Sequence, residues 1–310
     1  SQIVAAIETR QQILVFTDVS LHAMQYLGPP FTFGINTLSA NITVAGPLAI
    51  AAVDDTVFWM GEGDFYIYTG QVQKLPCSVR SYVFNDLNTT ASQLINAGLN
   101  NLFGEINWFY CTENSTVIDR VVTYNYQESS PERPIWTTGT LDRTTWQDSA
   151  VFGKPHATDY DADSNASYDV VGNTDGCTIY YEHEKGTDQV TATAVTTVAA
   201  NIESGDFDIS QGGDGEVFAK IRRFIPDFLS QTGNTQITLN LRNFSNSSQA
   251  SSPLGPFTIT SSTTKVDTRA RGRQAAVRFE SDDDAAYPGN TDTGWRLGNN
   301  RIEVKPDGKR

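Results

Sequence analysis

The chain has 310 residues, with 22 basic and 36 acidic side chains and a formal net charge of −14. An apolar fraction of 39% and a charged fraction of 19% fit a folded globular protein and exclude an intrinsically disordered one. No apolar run approaches the about 18 residues of a membrane-spanning helix, and so negative a charge excludes gripping nucleic acid by bulk electrostatics.

The charge is uneven. Residues 1–200 hold 8 basic and 22 acidic groups, whereas residues 201–310 hold 14 of each. This asymmetry predicts two domains, 1–200 and 201–310. Cys77, Cys111 and Cys177 are too few and too far apart for a disulfide framework or a Cys-x-x-Cys metal site, so reduced, buried thiols are expected. The chain opens on Ser1-Gln2-Ile3 with no methionine and no secretory leader, and sequence upstream of it is expected.

Taken in chain order, strand signals dominate. Ile13-Leu14-Val15-Phe16 is followed by a turn and by His22–Gly28; Val57-Phe58-Trp59-Met60 is followed by a turn and by Phe65–Gly70. Phe16 to Phe58 and Gly28 to Gly70 are both 42 residues apart, and the strands Ile3–Ile7 and Ala49–Val53 precede the two hairpins in matching positions. A third copy runs from Ile106–Tyr110 through a polar turn to Arg120–Tyr126, and a fourth from Ser167–Val171 through Asn173–Gly176 to Thr178–His183. Paired aromatic strands repeating at this period predict β-propeller blades, because one small antiparallel sheet covers neither of its faces and stacked sheets cover each other's. About four blades fit into residues 1–200. Either further blades lie upstream or the ring closes with later strands.

One segment reads as helix: Thr90–Phe103 places Leu94, Ile95, Leu99 and Leu102 near helical spacing. Beyond it, Val217–Phe224 reads as a strand that ends at Pro226, and Gln236–Asn243, Phe257–Thr260 and Arg273–Phe279 alternate as half-exposed strands do. The predicted fold class is therefore all-β, with β-propeller blades followed by a β-rich C-terminal element and one short helical insertion.

Motifs for chemistry are scarce. The sequence lacks Gly-x-Ser-x-Gly, His-Glu-x-x-His and the phosphate-cradling Gly-rich loops. His22, His156 and His183 fall in different blades and are expected to be structural. Thr140-Leu141-Asp142-Arg143-Thr144-Thr145-Trp146 distantly echoes the Ser-x-Asp-x-Gly-x-Thr-Trp turn of propeller glycosidases, without its glycine and in one copy. A hydrolase of that kind needs two positioned carboxylates, which the sequence does not pair. Asp159, Asp161 and Asp163 alternate as loop ligands of Ca²⁺ do, but Ser164 and Val170 stand where an EF-hand needs Gly and Glu; a solvated acidic loop is the plainer reading. Arg269, Arg271 and Arg273 alternate, with Arg278 beyond. In an extended strand the first three share one face, which could meet phosphates, an acidic surface of a neighbouring subunit, or water. On so acidic a chain the subunit contact is favoured over DNA.

The segments Phe218-Ala219-Lys220-Ile221-Arg222-Arg223-Phe224-Ile225-Pro226-Asp227-Phe228, Thr268-Arg269-Ala270-Arg271-Gly272-Arg273-Gln274, Gly294-Trp295-Arg296-Leu297-Gly298 and Arg301–Arg310 resemble the tail nozzle proteins of short-tailed bacteriophages, a family related to tail tubular protein B and to packaged-DNA-stabilisation proteins. Glu105–Tyr110, Asp119–Tyr126 and Trp136–Gly139 are similar to it as well, and the resemblance covers roughly residues 50–310. It implies a homo-oligomer, a hexameric ring at the distal end of the phage tail, made in the bacterial host cytoplasm and assembled into the virion. Its implied partners are the tail adaptor, other tail proteins and double-stranded DNA, retained and then conducted without sequence specificity; no enzymatic activity and no cofactor are implied. The rivals are propellers that bind or hydrolyse host surface polysaccharide. Family members are longer at the N-terminus, and the Asp159–Gly176 stretch is longer here than the family pattern.

Overall fold

The alternation of apolar and polar residues is realised as 27 strands in a computed structural model, which describes residues 1–149, 152–161, 177–190, 195–209, 217–244, 253–282 and 293–308. The chain divides into two compact units, Ser1–Lys185 and Gly186–Arg310.

The first unit is a succession of small antiparallel sheets. Strands β1 (Ile3–Glu8), β2 (Ile13–Thr17), β3 (Ser20–Tyr26) and β4 (Phe33–Ala40) form a four-stranded meander in that order. The next is β5 (Ile50–Val53), β6 (Thr56–Met60), β7 (Phe65–Tyr68) and β8 (Val72–Leu75). The third comprises β9 (Asn96–Asn100), β10 (Glu105–Tyr110), β11 (Arg120–Asn125) and β12 (Trp136–Gly139). The fourth has three strands, β13 (Thr145–Gln147), β14 (His156–Asp161) and β15 (Cys177–Glu182). The first strands of successive sheets are neighbours: β1 lies against β5, β5 against β9 and β9 against β13. Ala97 N–H donates to Leu48 O at 2.8 Å, in a parallel bridge just ahead of β5. Sheets laid side by side along their first strands are propeller blades.

Aromatic side chains join the blades. Phe16 meets Trp59 edge-on at 5.1 Å, and Trp108 and Trp136 both pack on Phe65, at 5.0 and 4.7 Å. Every indole in this unit also donates to a main-chain carbonyl: Trp59 to Thr43, Trp108 to Ala49, Trp136 to Pro76 and Trp146 to Leu99. A buried indole N–H without an acceptor would cost about 1–3 kcal/mol, so these four bonds fix where each blade docks.

One expectation needs correction. Thr90–Phe103 is not a helix: a 3₁₀ turn, Thr89–Leu94, is capped by Asn88 Oδ1, which accepts from Thr90 N and Ala91 N at 3.0 and 3.3 Å, and the chain then extends into β9. Leu94 and Leu102 are exposed, so the supposed apolar helix face does not exist. β9 is selected by its neighbours. It pairs with β10, and Gly98 lies so close to Trp146 that an added Cβ would sit 2.5 Å from the indole. A separate one-and-a-half-turn helix, α1 (Arg80–Asn85), precedes the 3₁₀ turn. In the fourth blade β15 pairs with the upstream β14, and the strand expected at 167–171 lies outside the described residues.

The second unit contains β16 (Asp188–Val190), β17 (Val195–Thr197), β18 (Asn201–Glu203), β19 (Phe207–Asp208), β20 (Ala219–Ile225), β21 (Phe228–Thr232), β22 (Thr235–Arg242), β23 (Pro253–Ile259), β24 (Val266–Gly272), β25 (Gln274–Ser281), β26 (Gly294–Leu297) and β27 (Arg301–Pro306). One sheet runs β18-β25-β22-β23, with β19 also on β25; a second runs β24-β20-β27. Two two-stranded pairs, β16-β17 and β21-β26, complete the unit's described strands. Along β22, Thr235, Ile237, Leu239 and Leu241 are buried and the residues between them are half-exposed. Ile237, Leu239 and Leu241 share one core with Ile221, Phe224 and Ala270 of the other sheet. Phe224 meets Phe279 at 5.9 Å across it.

Candidate functional site

In β24, Thr268, Ala270 and Gly272 are buried while Asp267, Arg269 and Arg271 are exposed. The period of two thus sends Arg269 and Arg271 outward together, as expected from sequence. Arg273 departs from that row. β24 ends at Gly272, and Arg273 is the one-residue connection to β25, where its guanidinium lies 4.7 Å from the Phe218 ring and 5.4 Å from that of Phe244. Arg271 stacks on the same Phe218 at 4.0 Å and pairs with Asp307 at 2.5 Å. Arg278 belongs to the other sheet, between the buried Val277 and Phe279, and pairs with Glu280 at 2.9 Å and Glu203 at 3.7 Å. Of the four arginines singled out in the sequence, two share the outward row.

The row is wider than the sequence reading had it. Across the three-stranded sheet, Lys220 of β20 stands opposite Arg271 on one side and Lys305 of β27 on the other. β20 also carries a bulge: Ala219, Ile221 and Phe224 are buried, so Arg222 and Arg223 both lie on the outer side of the sheet. An inserted residue of this kind breaks the period of two and places consecutive side chains on one face. The backbone left open at the bulge is closed by the buried Thr268, whose Oγ1 donates to Ile221 O at 2.8 Å. Thr268→Val keeps the shape and removes that donor, and is expected to cost about 1–3 kcal/mol of stability, measured as a lowered midpoint in denaturant unfolding.

Lys220, Arg222, Arg223 and Arg269 line a cleft of about 350 Å³ together with Asp267, Thr268 and Glu303. Arg223 holds both carboxylates, at 2.8 Å from Asp267 and 3.8 Å from Glu303. Its hydrogen bond, assisted by charge, keeps the Asp267 carboxyl below the usual carboxylate range.

A second concentration of charge sits in the fourth blade. Asp159, on β14, is buried, and its Oδ1 accepts from Tyr160 N at 2.7 Å. Burial, with the adjacent Asp142 carboxyl, pushes Asp159 up to about 6. Arg143, itself buried, donates from Nε to His183 Nε2 at 3.0 Å and from Nη1 to Asp142 O at 2.7 Å, and lies 3.8 Å from the Tyr181 ring. Burial first, then the charge of Arg143, depresses His183 to about 4, so its Nε2 remains a free-base acceptor. Asp159 lines a largely apolar pocket of about 290 Å³ with Thr144, Tyr160, Leu94, Val117 and Ile118. Nothing in the spacing Asp142, Asp159, His183 announces this cluster; only the pairing of β13, β14 and β15 brings it together.

The cation-loop expectation is corrected in part: Asp159 and Asp161 lie in the extended strand β14, not in a loop, and Asp163 lies outside the described residues. Among the described residues no three His, Cys, Asp or Glu side chains gather as metal ligands do. Cys77 and Cys111 are free thiols that burial pushes up to about 11, and no described helix is long and apolar enough to cross a membrane.

Fold and site together define an all-β protein of propeller blades followed by a β-rich unit with a basic outer sheet. No protein-family model matches the sequence, and no curated protein is similar to it at a significant level. Among solved structures it is similar to a glycoside hydrolase, with 10% identity over 96% of this chain and 83% of that one and a TM-score of 0.28.

Proposed function

We propose that the chain is a structural subunit of a bacteriophage tail nozzle, forming an oligomeric ring, a hexamer by family resemblance, that retains packaged DNA and conducts it during ejection without catalysing a reaction. The observation that carries this reading is the outward row of Arg269 and Arg271 on an otherwise acidic chain. In a cyclic oligomer each such row recurs in every subunit and becomes a belt of charge. The acidic blades suit the same role, because a wall rich in paired phosphate contacts would slow the passage of every base pair. Native mass spectrometry and negative-stain images of the protein are expected to show rings with a channel wide enough for a duplex. A clean monomer at high protein concentration would count against the nozzle.

A propeller acting on host polysaccharide is the second reading, favoured by Asp159, whose raised pKa suits a general acid. Against it, Asp142 and Asp159 are in hydrogen-bond contact, whereas glycosidase carboxyls stand about 5–9.5 Å apart to admit a sugar or a water. Turnover of a polysaccharide panel, abolished in Asp159→Asn, would restore that reading.

A further inference from the structure

We infer that the cleft formed by Lys220, Arg222 and Arg269 is a phosphate-binding site, and that its ligand is the phosphodiester backbone of duplex DNA. The inference rests on the nozzle reading for the identity of the duplex, and on the cleft itself for the chemistry.

The charges in the cleft do not balance. Asp267 and Glu303 are both engaged by Arg223, and Asp267 by Lys265 as well, at 3.5 Å. Among the described residues, Lys220, Arg222 and Arg269 have no carboxylate within ion-pair distance, and all three line the same 350 Å³ cleft. With Asp267 and Glu303 taken up by Arg223, the three remaining cations repel one another, and a chain of net charge −14 offers many easier arrangements. The fold goes out of its way to make this one. The β20 bulge keeps Arg223 outward beside Arg222, where alternation would have turned it into the core, and Thr268 spends its only hydroxyl proton on the Ile221 carbonyl at the bulge.

The donor set describes the ligand. Two guanidinium groups and an ammonium offer only hydrogen-bond donors, and Thr268 has already committed its own. The occupant therefore presents acceptors and negative charge. A carboxylate on a neighbouring subunit is satisfied by a single arginine fork; convergence of three cations on one concave site suits a group whose charge is spread over several oxygens, which is phosphate. Arg222 of β20 and Arg269 of β24 reach the same opening from neighbouring strands. None of these contacts reads a base edge, so binding is independent of sequence.

The test measures binding of the full chain to a short mixed-sequence duplex, and separately to inorganic phosphate, over a range of salt. The double variant Arg222→Ala/Arg269→Ala is compared with the parent and with Arg278→Ala, which removes an ion-paired arginine from the other sheet. The parent is expected to bind the duplex weakly and with a salt slope. The double variant should lose about tenfold or more in affinity and about two units of slope, while Arg278→Ala changes neither. Circular dichroism of the variants confirms that they fold. Duplex binding unchanged in the double variant overturns the inference, as does a parent that takes inorganic phosphate but no duplex. Loss of ring assembly with duplex binding intact also overturns it and gives the cleft to an acidic neighbour. Ring formation scored in the same samples separates the two claims: rings whose parent chain ignores the duplex sink the cleft alone, and monomers that bind the duplex through these residues sink the nozzle alone.

Discussion

Trp108→Ala is expected to destabilise the Ser1–Lys185 unit by about 3–5 kcal/mol, the range for emptying an aromatic site in a packed core. Trp108 is at 0% exposure in the middle of β10, paired with Val122 on one side and Ala97 on the other. Its ring lies 5.0 Å from Phe65 and 6.1 Å from Trp136, and Phe65 in turn packs on Phe84 at 5.3 Å. The void would therefore open where the second and third blades meet, among large rigid rings that cannot collapse into it. Ala49 O, which accepts the indole N–H at 3.1 Å, also accepts from Met60 N at 3.1 Å, so the carbonyl is not orphaned and the loss is mainly packing. Trp108→Phe, which refills most of the space, should cost clearly less. Denaturant unfolding followed by indole fluorescence reads both values, and a loss below about 1 kcal/mol for the alanine variant would sink the account.

The second large effect is a pair of opposing pH slopes in the fourth blade. Asp159 rises from an ordinary 3.8 to about 6 in the folded chain. Over that window the folded state holds a proton that the unfolded state has released, so its contribution is fully present below pH 3.8 and is lost as pH rises through 6. His183 falls from 6.5 to about 4. Between those values the unfolded state holds the proton, so its contribution is present above pH 6.5 and is lost as pH falls through 4. The groups that face the two are Asp142 and Arg143 for Asp159, and Arg143 and His156 for His183. Each slope amounts to on the order of 3 kcal/mol across its window, and together they nearly cancel. Removing one should expose the other. Relative to the parent, Asp159→Asn is expected to gain stability as pH goes from 4 to 6.5, and His183→Gln to lose it over the same range. Melting temperatures across that range check the signs, and profiles parallel to the parent's would remove the cluster as a titrating unit.

Much of this fold could be read from the sequence, where local pattern and final environment agree. The hairpins at Ile13–Phe16 and Val57–Met60 became β2-β3 and β6-β7 because aromatic and β-branched residues suit a strand and the turns between them are short. The alternation of β22 and the outward pair Arg269 and Arg271 followed from the period of two alone. The failures share a cause, which is that a distant partner decides the outcome. Asn96-Ala97-Gly98-Leu99-Asn100 has little strand propensity, yet it pairs with β10, buries both asparagines and passes under the Trp146 ring. Alternation from the buried Ala219 and Ile221 sends Arg222 outward with Lys220 and would turn Arg223 inward. The bulge that sets Arg222 and Arg223 side by side is fixed by pairing with β24 and β27, not by β20. The Asp142, Asp159 and His183 cluster was invisible for the same reason.

The four indole bonds of the first unit carry a direction. Trp59 reaches back to Thr43, Trp108 to Ala49, Trp136 to Pro76 and Trp146 to Leu99, so each acceptor precedes its donor in the chain. On the ribosome, which delivers residues from the N-terminus onward, every tryptophan therefore emerges to find its docking carbonyl already made. The unit can be built blade upon blade as it is synthesised, with no anchoring indole left waiting for sequence still to come.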